Sequence, residues 1–399
     1  MIIQPSIRSN VFLNAHPLGC EKNVQAMIQE AQKRPAFQGP KTALIIGGSS
    51  GYGLASRIAL AFSGGVNTIN VSTPGGPTEK RTGKAGWWNN LYFQKHTEAL
   101  PTQHIDVLGD AFSSACKDEV IAAIQAQFGP IDLVVYSLAA GARYNETTDT
   151  LIRSSIKTIG EPLEGQTINV AKETVESLTV EGATDQEIAD AVYVMGGDDW
   201  ADWIARLTQA KLCAPGFKTL SYSYIGSETT ARLYREGTLG KAKEDLERTA
   251  LVLDQALKPL GGEALIASAK AIVSKASVFI PQMPVYVACL FEAMRQKGTH
   301  ETVLEHTHRL FATMVYGSKR ESDAEGRLRP DAWELDDAVQ AKTQELMANL
   351  DEAGLMALGG TRQFLDDFYQ IHGFGYAAID YDLDIDVFAL AASLQKTRA

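Results

Sequence analysis

Apolar residues come along this chain in short blocks, and the first blocks alternate with amphipathic stretches. The blocks are rich in Val, Ile and Leu, which is typical of strands buried on both faces of a sheet. Their alternation with stretches of helical spacing predicts a parallel, doubly wound sheet of Rossmann type, an α/β fold. The predicted strands are 43–46, 68–72, 104–108 and 131–139, and the predicted helices are 54–62 and 114–128.

The pattern changes after Arg143, where a long polar stretch begins. Helices are predicted at 184–194, where Thr184 and Glu187 fit a capping box, and at 197–212. An insertion of this length between core elements favours a helical segment that covers the substrate.

The core pattern resumes with strands at 218–224 and 264–274 around a helix at 243–258, and the rest of the chain is mostly helical. We therefore expect one domain, whose parts share a single sheet. Its parts are a Rossmann core at 40–143 and 216–280, the insertion at 144–215 and a helical C-terminal region at 281–399.

A glycine-rich turn follows the first predicted strand directly. Gly47 permits the tight turn, Gly51 lets the backbone approach a pyrophosphate, and Gly53 lets the helix pack on the strand. The helix N-terminus then offers free N–H groups to phosphates. The spacing G-x3-G-x-G is typical of short-chain reductases and predicts a dinucleotide site in this turn, which also contains Ser49 and Tyr52.

The carboxyl ends of the next strands supply further candidate cofactor contacts, because parallel strands end at the same edge of the sheet. After Ser72 and Thr73 no acid that could bind the ribose 2′-hydroxyl occurs before Glu79. The basic residues just beyond are Lys80, Arg81 and Lys84. This loop is either solvated or a site for the 2′-phosphate of NADPH.

The third and fourth strands end near the two other parts of a bound dinucleotide. Asp110 follows the third strand, where an acidic residue can reach the adenine. The fourth strand ends in Ser137, Leu138 and Ala139, and this end should face the nicotinamide half.

Composition narrows the class of protein. Of 399 residues, 45% are hydrophobic and 21% charged, as in a soluble globular enzyme with a large core. The formal charge of −11 argues against nucleic acid as a partner. Four scattered cysteines without metal-ligand spacing predict reduced thiols and a cytoplasmic protein with no metal. The apolar run 278–291 is too short for a membrane span and predicts a buried segment or a pocket wall.

A reductase of this kind needs a Tyr that acts on the substrate oxygen and a Lys that binds the ribose. The candidates Tyr234 and Lys243 are nine residues apart, about 180° around an unbroken helix. Both can reach one cofactor if Gly237 and Gly240 break the helix, with Thr238 as N-cap of the next one. Tyr224, at the end of a predicted strand, is a second candidate phenol or a core residue.

At these residues the chain resembles the FabV-type enoyl-ACP reductases and the related trans-2-enoyl-CoA reductases, over nearly its whole length. The gap of eight residues between Tyr and Lys is the signature of that family. The matching stretches include Ala15-His16-Pro17, Ile46-Gly47-Gly48-Ser49-Ser50-Gly51-Tyr52-Gly53, Gly109-Asp110-Ala111-Phe112, Tyr234-x8-Lys243 and Lys297-Gly298-Thr299-His300-Glu301.

The resemblance implies a reductase of 2-enoyl thioesters, carried on CoA or acyl carrier protein, that uses NADH and acts as a monomer. It implies that Tyr234 donates the proton, Lys243 binds the ribose and Tyr224 holds the thioester carbonyl. It implies that Tyr52 and the glycines hold the pyrophosphate, and that Asp110 and Ala111 hold the adenine. Ser274 stands where the family has a Thr near the nicotinamide.

Three departures from the family pattern bear on these expectations. The acid after the second strand is replaced around Thr73, so NADPH is expected as a cofactor beside NADH. Glu244 replaces a second Lys, and 141–144 replaces a Pro-Arg-rich stretch. Two other functions stay open: a short-chain carbonyl reductase, which would reduce C=O instead of C=C, and a nucleotide-binding protein without turnover.

Overall fold

A computed structural model describes residues 1–138 and 140–396, and six parallel strands form its central sheet. Their order, β12-β11-β6-β3-β4-β5, reverses between β3 and β6, as in a Rossmann fold. The predicted α/β class is confirmed. In chain order the strands are β1 Ile7–Arg8, β2 Val11–Phe12, β3 Thr42–Ile46, β4 Asn67–Ser72, β5 His104–Leu108, β6 Ile131–Tyr136, β7 Ala142–Asn145, β8 Thr150–Arg153, β9 Leu163–Asn169, β10 Thr174–Val180, β11 Cys213–Ser223 and β12 Glu263–Ser268.

Helices cover both faces of this sheet, and none of those described is long and apolar enough to cross a membrane. In chain order the helices are α1 Pro17–Lys33, α2 Gly51–Gly64, α3 Ala85–Thr97, α4 Ser114–Gln127, α5 Asp185–Met195, α6 Asp198–Gln209, α7 Thr238–Leu257, α8 Met283–Lys297, α9 Val303–Arg309, α10 Asp337–Asn349, α11 Glu352–Met356, α12 Gly359–Gln370 and α13 Val387–Lys396.

The central strand β3 shows why the sheet needs apolar packing on both faces. Leu44 and Ile46 point into a core shared with α4, α6 and α7. Ala43 and Ile45 point into the opposite core, which α2 and a π-helical turn at Leu310–Val315 close. Successive side chains of a strand alternate between faces, so an unbroken apolar strand is stable only with apolar cover on both.

Only the second part of the insertion is helical, and the strands of its first part were not predicted. The antiparallel hairpins β7–β8 and β9–β10 come first, and α5 and α6 follow near the predicted positions. The sequence of β10, T-V-E-S-L-T-V, has the β-branched content of a strand, which polarity alone does not reveal. The capping box of Thr184 and Glu187 is confirmed at the start of α5.

The C-terminal region packs around α8, whose residues from Met283 to Phe291 are buried. Helices α10 and α12 lie against it, with Val339 and Phe364 in the same apolar core. The apolar run 278–291 therefore lies largely inside the protein, as predicted, although Phe279 is exposed.

Candidate active site

The glycine turn joins β3 to α2 with no room for side chains at two positions. Gly47 has φ +91°, and a Cβ there would lie 2.2 Å from the Ser137 carbonyl oxygen. A Cβ on Gly53 would lie 2.2 Å from the Gly47 carbonyl oxygen, so any larger residue would push α2 away from the turn. At Gly51, by contrast, no described atom lies within 4 Å of the Cβ position. The turn thus leaves open space at the start of α2.

The start of α2 carries unused hydrogen-bond donors. Ser50 is its N-cap, and the Ser50 side chain forms no capping bond with the described residues. Backbone N–H groups at a helix N-terminus attract anions, and the open space beside Gly51 lets a phosphate approach them. The half-buried Ser49 lies in the same turn, where its carbonyl oxygen accepts a hydrogen bond from the Asn89 amide at 3.0 Å.

Tyr52 points away from this open space. Its hydroxyl donates to the Lys270 carbonyl oxygen at 2.6 Å, and its ring stacks on Tyr222 with centroids 4.8 Å apart. In this arrangement its hydroxyl supports the loop after β12 and does not reach toward the glycine turn.

The ends of β4 and β5 lie side by side. The buried Ser72 hydroxyl accepts from the Asn90 amide at 2.8 Å, while Thr73 is exposed. Asp110 is exposed too, and its carboxylate accepts from the Phe112 N–H at 3.1 Å. Ala111 is buried beside Trp203. The residues predicted to lie near the ribose and those predicted to contact the adenine are therefore neighbours at the carboxyl ends of β4 and β5.

The end of β6 lies against the glycine turn. The Ser137 N–H donates to the Ile46 carbonyl oxygen at 2.9 Å, and Leu138 follows, half-buried. The predicted contact at Ala139 lies outside the described residues.

Tyr224, Tyr234 and Lys243 lie together at the end of β11. The two tyrosine rings meet edge to face with centroids 4.4 Å apart. The Lys243 ammonium donates to the Tyr222 carbonyl oxygen at 3.0 Å. Burial lowers the pKa of Lys243 to about 8, against the opposing charge of Glu247.

The chain breaks before α7 in a different way from that predicted. Gly237, not Thr238, is the N-cap, and the Thr238 hydroxyl instead donates to the Ser155 carbonyl oxygen at 2.7 Å. Gly240 lies inside the helix, where a Cβ would be 2.3 Å from the Tyr234 carbonyl oxygen. It permits close packing and does not break the helix, while Lys243 falls in the first turns of α7, as predicted.

Ser274 lies beyond the sheet, since β12 ends at Ser268 and the predicted strand to residue 274 is six residues too long. The Ser274 hydroxyl accepts from the Ser277 N–H at 3.1 Å. Its loop lines a cavity of about 240 Å³ that also touches the start of α2. The lining includes Ser50, Gly51, Asn89, Lys270, Ser274 and Asp367.

One buried acid beside the tyrosines was missed by the sequence analysis. Glu334 is fully buried and accepts a hydrogen bond from the Tyr224 hydroxyl at 2.9 Å. It lies in Trp333-Glu334-Leu335, where nothing distinguishes it from a surface acid. No signal in the sequence could have found it, because the contact joins residues 110 positions apart.

Comparison with known proteins covers almost the entire chain. Family models match the NAD(P)H-binding domain of trans-2-enoyl-CoA reductase at residues 2–79 and its catalytic region at 81–316. The chain belongs to the trans-2-enoyl-CoA reductase family. A further model of these reductases, described as the enoyl reductase FAD-binding domain, matches residues 322–385.

Relatives in this family match at full length. Enoyl-[acyl-carrier-protein] reductase [NADH] 2 of Photobacterium profundum is 43% identical over 97% of this chain and 98% of its own. The crystal structure of Clostridium acetobutulicum trans-2-enoyl-CoA reductase in complex with NADH has a TM-score of 0.95 at 38% identity, covering 98% of this chain and 99% of that one. The NAD complex of the Treponema denticola enzyme has a TM-score of 0.92 at 38% identity, over 96% and 98% of the chains.

Proposed function

We propose that this chain reduces the trans-2 double bond of 2-enoyl thioesters with a reduced nicotinamide, yielding saturated acyl thioesters for fatty acid synthesis. The observation that carries the proposal is the contact between the Tyr224 and Tyr234 rings beside β11, the strand whose Tyr222 carbonyl oxygen holds the Lys243 ammonium. These groups lie near the carboxyl ends of the parallel strands, where the glycine turn also lies. Membership of the family and the names of its full-length relatives support the same reaction.

The residues present fit a dinucleotide. The start of α2 would hold the pyrophosphate, Asp110 and Ala111 the adenine, and Ser274 with the end of β6 the nicotinamide. Lys243 would bind the ribose. When bound, the reduced nicotinamide supplies a hydride for the β-carbon of the substrate. The support is the open space beside Gly51, which no described side chain fills.

The tyrosines act on the charge that hydride transfer leaves on the thioester oxygen. Burial raises the pKa of Tyr234 well above its usual value, so its phenol keeps its proton and can donate a hydrogen bond to that oxygen. Tyr224 would donate to the same oxygen from the adjacent ring. Donors placed where charge develops stabilise the transition state more than the substrate.

The first test mixes the purified protein with 2-enoyl-CoA and 2-enoyl-acyl carrier protein, each with NADH and with NADPH. We expect nicotinamide oxidation matched by saturated product. Product analysis separates this reaction from carbonyl reduction, because one loses C=C and the other C=O. No oxidation with any pair would contradict the proposal and favour a binding protein without turnover.

Cofactor preference depends on the loop after β4, and we expect NADPH to be used as well as NADH. Lys80, Arg81 and Lys84 are exposed and form no ion pair with other described residues. Replacing Arg81 and Lys84 with alanine should lower kcat/KM for NADPH by up to roughly fivefold for each charge, and leave NADH unaffected. An equal effect on both cofactors, or none, would contradict a 2′-phosphate site here.

Lys243 should make cofactor affinity depend on pH. Its pKa of about 8 means that the ammonium is charged below that pH and neutral above it. We expect the Kd for NADH to rise roughly tenfold between pH 7 and pH 9.5, as the charge-assisted hydrogen bond to the ribose is lost. Fluorescence titration across this range measures it, and the Lys243→Met variant should show a flat profile.

The FAD-binding description of one family model finds no support in the helix N-termini of the region that it matches. A free helix N-terminus is a common site for a pyrophosphate, but the three α-helices of residues 322–385 each begin beside a carboxylate. Asp336 accepts N–H bonds at the start of α10, Asp351 at α11 and Glu292 at α12. These charges would repel a pyrophosphate, and no step of the proposed reaction uses a flavin.

A further inference from the structure

The carboxylate of Glu334 joins two tyrosines and one backbone amide. Its Oε1 accepts from the Tyr224 hydroxyl at 2.9 Å and from the Tyr286 hydroxyl at 2.8 Å. Its Oε2 accepts from the Ala271 N–H at 2.5 Å. Glu334 has no access to solvent, so these three hydrogen bonds take the place of water around its carboxylate.

An ionised carboxylate carries no hydrogen, so in each of these bonds the partner must donate. The Tyr286 oxygen already accepts from the Gln340 amide at 3.1 Å, which is consistent with Tyr286 directing its own hydrogen to Glu334. The single hydroxyl hydrogen of Tyr224 is committed in the same way. While it points at Glu334, it cannot point at a substrate oxygen.

We propose that Glu334 is a positioning residue that decides whether Tyr224 can donate to the thioester oxygen. Ionised Glu334 holds the Tyr224 hydrogen, whereas protonated Glu334 donates to the Tyr224 oxygen and frees that hydrogen for the substrate. The inference rests on the proposed function, because it assigns Tyr224 to the thioester.

The surroundings of Glu334 set the balance between its two states. Burial raises its pKa, while the Ala271 N–H, the two tyrosine hydroxyls and the Lys270 ammonium oppose the rise. Among the described residues, Tyr52 and Tyr234 also feel its charge, and both stay neutral because burial raises their pKa values well above the usual range.

The sign of the pH effect follows. At low pH Glu334 is protonated and Tyr224 is free to donate, so kcat is high. As the pH rises through the pKa of Glu334, the Tyr224 hydrogen is captured and kcat falls by roughly tenfold or more, as expected when one donor to a developing oxyanion is lost.

Glu334→Gln tests this directly. The introduced amide can accept from the Ala271 N–H with its oxygen and donate to the Tyr224 oxygen with its NH2, as protonated Glu334 would, and it does so at every pH. The ratio of variant to wild-type kcat should therefore rise with pH, by about tenfold or more. Taking the ratio cancels any pH dependence that comes from Lys243.

Asp331→Asn is the matched control. Asp331 is buried three positions away and accepts from the Ser268 hydroxyl at 2.7 Å, without a described hydrogen bond to the tyrosines. The ratio of its kcat to the wild-type kcat should stay constant across pH, even if the variant is less stable than the wild type. A constant ratio for Glu334→Gln as well would show that Glu334 is only structural and overturn the inference.

Tyr286→Phe decides the question if Glu334→Gln does not fold, as judged by circular dichroism. It removes one hydrogen bond that stabilises the ionised carboxylate, so the pKa of Glu334 should rise. The pH at which kcat falls should therefore rise by roughly one to two units. If the dependence of kcat on pH is the same in Tyr286→Phe as in the wild type, the inference is overturned. Turnover by the wild-type protein would still support the proposed function. A wild-type protein without turnover on any enoyl thioester would overturn both.

Discussion

Replacing Tyr234 with phenylalanine should lower kcat by on the order of 10²–10³, the usual cost of losing one donor to a developing oxyanion. The ring is 5% exposed and packs edge to face on Tyr224, so the variant keeps the shape of the site. It loses only the hydroxyl that would bind the thioester oxygen. The KM for NADH should change little, because the lost bond forms on the substrate in the transition state.

Tyr92→Phe is the control for this substitution. Tyr92 is buried in α3, and its hydroxyl has no partner among the described residues. The same chemical change at this site should leave kcat unaltered. Steady-state kinetics of both variants with a 2-enoyl-CoA decides the matter, and wild-type turnover in Tyr234→Phe would remove Tyr234 from the mechanism.

Replacing Lys243 with methionine should weaken NADH binding by roughly 10- to 150-fold, which corresponds to about 1.5–3 kcal/mol for a hydrogen bond to a charged group. Methionine keeps most of the length of the side chain and removes the ammonium. Since that ammonium is half-buried and bonded to the Tyr222 carbonyl oxygen, it is held in one place and not spread over solvent. A fall in kcat should accompany the loss of affinity.

Lys241→Met is the matched control, two positions earlier in α7. Lys241 forms an exposed ion pair with Glu244 at 2.9 Å. Such pairs contribute little, so NADH affinity should stay within about twofold of wild type. Unchanged affinity in Lys243→Met would contradict a ribose role. The same ion pair involves Glu244, which stands where the family pattern has a second Lys. The Glu244 carboxylate is paired with the Lys241 ammonium.

The sequence predicted well those features that depend on interactions between residues close together in the chain. Gly47 was expected to permit a tight turn, and it has φ +91°. Gly53 was expected to allow close packing of α2, and a Cβ there has no room. The capping box at Thr184 was expected from two residues three positions apart. In each case the deciding interaction joins neighbours in the chain, so its signal survives in the order of residues.

The errors have a common cause: each element was decided by partners outside its own stretch of sequence. Threonine is a favourable N-cap residue, but the Thr238 hydroxyl donates a hydrogen bond to the Ser155 carbonyl oxygen instead. Residues 144–180 formed hairpins because each strand found a partner across a turn. Strand β12 ended early, since the pairing with β11 stops at Ser268. Local propensity is a weak predictor wherever such tertiary contacts are available.

By itself, then, the sequence determined the doubly wound α/β fold, the dinucleotide turn and, through its resemblance to a family, the candidates Tyr234 and Lys243. Only the tertiary structure decided which hydrogen bonds the side chains of the site form. It directed Tyr52 to the Lys270 carbonyl oxygen and placed Glu334 under Tyr224. The physical reason is that a buried polar group must find hydrogen-bond partners in its final surroundings, and those partners come from distant segments that meet only when the chain has folded.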